Sequence, residues 1–120
     1  METTVRLAWA TLALIHVMPA LALFRPSLIT SLYGVAAGDP AFLLLHHRAA
    51  LFLGVFLLCI WSIFDHGARP VAAAVAAISM ISFLLLYWQA GSPAALHTIA
   101  VADLIGLAPL ALVTWAALKS

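Results

Sequence analysis

Five side chains in this sequence carry hydrogen-bonding or acid–base chemistry inside segments that are otherwise apolar: His16, His47, Arg48, Ser82 and Asp103. An imidazole accepts and returns protons near neutral pH, and a carboxylate does the same when its surroundings suit the reaction. A guanidinium stays charged and stabilises negative charge on a substrate or intermediate. These groups together suit proton transfer on a small molecule, with isomerisation as the simplest redox-neutral form. Arg48 and Asp103 are also the one pair of opposite charges in this set, and an unpaired ion at membrane depth is costly. His46, Tyr33 and Gln89 are further candidates for binding roles.

The rest of the chain explains why such groups stand out. It is 67% hydrophobic and only 8% charged, with a mean hydropathy of +1.20, whereas soluble domains average about 25% charged residues. The net charge is +1 and there is no basic run, which excludes a nucleic-acid footprint. Cys59 has no second cysteine to pair with and falls in an apolar run, where it reads as a small buried hydrophobe.

Four segments have the length of about 20 apolar residues that a spanning helix needs. They cover residues 5–24, 39–64, 71–90 and 93–118. The first stops at Arg25-Pro26. The second opens on Asp39-Pro40, an N-cap followed by a first-turn proline. The third follows Arg69-Pro70 and ends at Ala90-Gly91. The fourth opens on Ser92-Pro93. The expected fold is all-α: one domain over residues 1–120, an integral membrane four-helix bundle running up-down-up-down. A short interfacial helix is expected around Ser27–Tyr33, with Tyr33 at headgroup depth. Trp9, Trp61, Trp88 and Trp115 lie near predicted helix ends and read as interfacial anchors.

Arg6 precedes an apolar run, and Ala20-Leu21-Ala22 matches a small-x-small cleavage pattern. The run from Leu7 to Phe24 is long for a signal core, however, and His16 and Pro19 interrupt it, so the segment is read as a retained helix. Arg6, Arg69 and Lys119 fall on one side of the bundle and Arg25 on the other. The positive-inside rule then places both termini in the cytoplasm.

Counted from the opposite side, His16, Arg48, Ser82 and Asp103 all lie roughly 10–15 Å into their helices at 1.5 Å per residue. Helical spacing puts His16 with Ala13 and Ala20, His47 with Ala50 and Gly54, Asp103 with Ala100 and Gly106, and Ser79 and Ser82 with Gln89. Small residues are what membrane helices turn toward one another, so these faces are expected inside. Pro19 and Pro109 free backbone acceptors near Ile15 and Ile105. On the same spacing His46 points outward to headgroups, His97 is interfacial and His66 lies in the cytoplasmic loop.

Three functions stay open at this stage. One is a pocket binding, and isomerising by proton transfer, a small lipophilic molecule that enters from the outer leaflet. A second is an accessory role in a homo-oligomer or larger membrane complex, with the polar layer fixing helix packing. The third is haem held by His16 and His47. No other cofactor is expected, and no metal site: His46 and His47 diverge by about 100° on one helix.

The segments HHRAALFLGVFLL at 46–58, SMISF at 79–83, ADLIGL at 102–107 and IHVMP at 15–19 resemble a group of small four-helix bacterial membrane proteins, DoxX-like in outline. The resemblance implies a four-helix bundle in the bacterial inner membrane. The ADLIGLAPLAL segment is also similar to the last helix of the haem-dependent styrene oxide isomerases, a family from which the rest of the chain departs.

Overall fold

The computed structural model describes residues 1–119. Its five α-helices are α1 (Glu2–Leu21), α2 (Ser27–Tyr33), α3 (Pro40–Phe64), α4 (Arg69–Gln89) and α5 (His97–Lys119), with short 3-10 turns at His66–Ala68 and Ala94–Leu96. No strand occurs among the described residues. By length and composition, the spans Glu2–Leu21, Pro40–Phe64, His66–Gln89 and Ala94–Lys119 are long and apolar enough to cross a membrane.

Local chemistry sets the boundaries. Asp39 caps α3 by accepting from the Ala41 amide at 2.9 Å, and Pro40 fills the first turn, where a missing N–H costs nothing. The short helix α2 forms where the sequence places it, and Gly34 ends it with φ of +70°, a left-handed conformation that glycine adopts without strain. The start of α5 differs from expectation. Ser92 has φ of +54° and Pro93 is extended at ψ 130°, so Ser92-Pro93 ends a turn and opens a 3-10 segment rather than capping an α-helix.

Around the bundle α1 packs most extensively on α3 and then on α5, and α4 packs on α5. The seam between α3 and α4 is the least closed, although a short loop joins these two helices. Leu14, Leu43, Leu44, Ile78 and Trp88 are among the large apolar residues left on the outside, as a lipid-facing belt requires.

The main core occupies the half that holds both ends of the chain. Val5, Trp9, Leu12 and Ala13 of α1 meet Val55 and Cys59 of α3, Ala72, Ala73, Ala76 and Met80 of α4, and Leu110 and Val113 of α5. Trp9 is a correction to the anchor reading: it has no exposed surface, and its indole Nε1 is the one fully buried side-chain polar atom without a partner among the described residues. Trp61, Trp88 and Trp115 are exposed, as interfacial residues would be. Small residues allow the close approach. At Gly106 an added Cβ would lie 2.5 Å from Met80 Cε and 2.7 Å from Ile15 Cδ1, so α1, α4 and α5 meet there and a side chain would have to displace both neighbours.

A polar lock closes the same end. Glu2 accepts from Arg69 Nη1 at 2.8 Å and Nη2 at 2.9 Å, from Arg6 Nε at 2.8 Å and from His66 Nε2 at 3.1 Å. Arg69 is buried, and it also donates to the Ser62 carbonyl at 2.7 Å and the Ile63 carbonyl at 3.2 Å. Those carbonyls lie in the last turn of α3, where the helix has no donor of its own. Asp65 accepts from the Trp61 indole and the Gly67 amide, which hold its carboxyl below the ordinary range.

Candidate functional site

The second half of the molecule is built differently. A smaller core of Ala22, Ile29, Tyr33 and Ala49 ties α2 to α1 and α3. Between the two cores lies a cavity of about 260 Å³, lined by His16, Pro19, Leu32, Arg48, Phe52, Thr98, Ile99 and Asp103 among others. Four helices supply its walls. Three of the four residues singled out for catalysis therefore do face one space, and they come from α1, α3 and α5.

His16 is buried. Its Nδ1 bonds the Leu12 carbonyl at 2.8 Å, one turn earlier on α1. With Nδ1–H donating there, Nε2 carries the free lone pair. No hydrogen bond joins Nε2 to another group among the described residues, and the side chain borders the cavity. Pro19 stands three residues on and removes the amide that would have bonded the Ile15 carbonyl.

Arg48 is held by rings rather than by a carboxylate. Its guanidinium carbon lies 4.6 Å from the Phe52 ring centroid, 5.7 Å from Phe83 and 5.9 Å from Tyr33. Cation–π attraction of this kind strengthens when water is excluded. Burial pushes the Tyr33 hydroxyl above its ordinary range, which keeps it a neutral donor. Asp103 is half-buried on the far wall of the cavity. The ion pair expected from the sequence does not form: no N···O distance within 4 Å joins Arg48 and Asp103, and the ion pairs among the described residues all converge on Glu2. The aromatic cage draws the guanidinium toward the α3–α4 seam, so both charges face the cavity from separate walls.

The two neighbouring histidines exchange roles relative to expectation. His47 is exposed and does not line the cavity. His46 is half-buried, with Nε2 bonded to the Leu23 carbonyl at 3.0 Å. The reason is a helix end. Just past the end of α1, Leu23 exposes a carbonyl acceptor, and the face of α3 turned to α1 carries His46 and Ala49. Gly54, expected to share an inward face with His47, is exposed as well. His16 and His47 thus do not share a cavity, and the pair does not fit bis-imidazole ligation of haem. No group of three or more His, Cys, Asp or Glu side chains gathers for a metal ion among the described residues.

Family models, curated proteins and solved structures give no match to this chain. The site must be read from its own atoms.

Ser82 is exposed and donates to the Ser79 carbonyl at 3.3 Å. It lines not the cavity but an open groove of about 540 Å³ between α3 and α4, where Arg48 and Phe52 are also found. Gln89 and His97 are exposed at helix ends, and His66 belongs to the Glu2 lock. Sequence reasoning missed Phe52, Phe83 and Thr98. Phe52 was detectable in principle, because it stands one helical turn after Arg48 on the same face. Phe83 comes from a different helix, and no spacing rule connects it to Arg48. In the sequence Arg69 marks a helix start beside Pro70 and a charge on one side of the bundle, and neither property signals its burial.

Proposed function

We propose that this is an integral membrane protein that binds a small lipophilic molecule in the cavity between its two cores, with His16, Arg48 and Asp103 addressing the polar end of that molecule. The observation that carries the reading is the convergence of three ionisable side chains from three helices on one small apolar-walled space. Ligand sites are mostly apolar with a few convergent polar groups, and drug-sized molecules occupy about 300–1,000 Å³. A volume of about 260 Å³ therefore suits a smaller molecule.

The same groups support proton transfer. His16 Nε2 takes a proton from the carbon between a carbonyl and a carbon–carbon double bond, Arg48 stabilises the dienolate oxygen, and the proton returns to the far alkene carbon as the double bond shifts. Asp103 supplies the second acid–base group from the opposite wall. This chemistry is redox-neutral and needs no added cofactor.

The organisational reading goes with it. The end carrying Arg6, Arg69 and Lys119 is placed in the cytoplasm by the positive-inside rule, which puts the cavity toward the outer leaflet of a bacterial inner membrane. The DoxX-like resemblance of the segments bearing His16, Arg48, Ser82 and Asp103 points to the same setting.

The test is organic extraction of the protein purified in mild detergent, followed by mass spectrometry of the extract. Ala102 also lines the cavity, so a discrete small molecule should accompany the wild type and be absent from Ala102→Leu, in which a larger side chain takes up that space. Extracts identical for the two proteins would overturn the reading and favour an accessory role in a larger complex.

A further inference from the structure

The groove between α3 and α4 is a second space with its own chemistry. It opens sideways, toward the position of lipid tails, and is lined on α3 by Arg48, Leu51 and Val55 and on α4 by residues from Val75 to Leu86. At 1.5 Å per residue these stretches measure roughly 10 and 16 Å. The longer stretch is about half the thickness of a hydrocarbon layer of about 30 Å. Arg48 is at the end remote from the connecting loop, while the rest of the groove is apolar apart from Ser79 and Ser82.

The charge distribution selects the occupant. Arg48 is the one ionisable residue lining the groove, and no carboxylate lies within ion-pair distance of it among the described residues. Asp103 shares the inner cavity with Arg48 but does not line the groove. Ring faces stabilise the cation but leave its N–H donors free for a planar, two-oxygen anion, which a guanidinium matches with paired hydrogen bonds.

We propose that the α3–α4 groove binds a single-chain fatty carboxylate from the bilayer. Its carboxylate pairs with Arg48, and its chain lies along Leu51 and Val55 on one side and Val75 and Ile78 on the other. The inner cavity does not need to be a ligand site for this to hold, although the two spaces share Arg48 and Phe52.

The experiment is native mass spectrometry of the full chain released from a non-ionic detergent, at pH 8, with lauric acid and dodecanol as matched probes. Wild type should retain one laurate at concentrations where dodecanol is not retained. Arg48→Gln should lower laurate retention at least tenfold. Ser79→Trp fills the groove and should abolish retention. Ile78→Trp tests the same point with little risk to folding, because Ile78 is 70% exposed. Ala102→Leu, which fills only the inner cavity, should leave laurate binding unchanged. Equal retention of dodecanol would overturn the proposal, as would the absence of a one-to-one laurate adduct. Loss of laurate in Ala102→Leu with retention in Ile78→Trp would move the carboxylate to the inner cavity. Displacement of laurate by equimolar phosphatidylglycerol would make the occupant a two-chain lipid and also refute it.

Discussion

The two halves of this bundle solve the same packing problem in opposite ways. Near the chain ends, Trp9 and Leu12 of α1 share one core with alanines 72, 73 and 76 of α4, and Arg69 ties the last turn of α3 to Glu2. Large side chains meet small ones there, and every helix is drawn in. In the other half the seam between α3 and α4 carries Arg48, Phe52 and Phe83, and a cavity opens behind them. Bulky rings around a guanidinium hold helices apart where alanines let them close. The difference teaches that the ion pairs of the described residues gather at the Glu2–Arg69 end, whereas the half with the conspicuous His, Arg and Asp is the half left open.

This contrast is breakable. Trp9→Ala should have the largest effect, about 3 kcal/mol or more, because it empties a site with no exposed surface in the closed half. Unfolding by titrated SDS in mixed micelles would measure it. A loss similar to that of an exposed-face control such as Leu44→Ala would refute the picture of a tightly packed half.

Arg69→Ala should come next, at about 1.5–3 kcal/mol, the range for hydrogen bonds to charged groups. Glu2 is left partly hydrated, since its side chain is 42% exposed, which keeps the loss below that of a sealed ion pair. Arg69→Lys should recover little, because one ammonium cannot both fork onto Glu2 and reach the Ser62 carbonyl.

Gly106→Ala should cost about 1 kcal/mol, within the range for overpacking, because Met80 Cε and Ile15 Cδ1 are the flexible ends of side chains and can shift. The smallest stability effects belong to the open half. Asp103→Asn and His47→Ala should each change stability by less than about 0.5 kcal/mol. Asp103→Asn should nevertheless abolish any ligand-dependent activity, whereas His47→Ala should not. If Asp103→Asn unfolds the protein as Arg69→Ala does, the polar layer is structural and the comparison between the halves fails. An absorption spectrum of the purified protein, oxidised and then reduced, adds a direct check on haem: a Soret band lost in both His16→Ala and His47→Ala would refute the geometry that separates those two residues.

Much of the architecture was present in the chain. Hydropathy and the Asp39-Pro40 start define spans because the bilayer requires every backbone group to be paired within a helix. Depth was also legible: counting residues placed His16, Arg48 and Asp103 at one level, and they line one cavity. Orientation about the helix axis was less so. His46 and His47 are adjacent, and a difference of about 100° decided which turned toward α1. Small neighbours argued for His47, but the open carbonyl of Leu23 bonds His46, and a bond to an atom 23 residues away leaves no local trace.

The sequence by itself therefore determined how many long apolar helices there are, where they begin and which residues stand at a common depth, because those properties follow from local backbone pairing and rise per residue. The tertiary structure decided the rest. It drew Arg48 away from Asp103 into a cage of rings from α2, α3 and α4, buried Arg69 beneath Glu2, and left one seam open beside a cavity. Which partner a charge takes depends on the groups that other helices bring within a few ångströms of it, and that is a property of the packing alone.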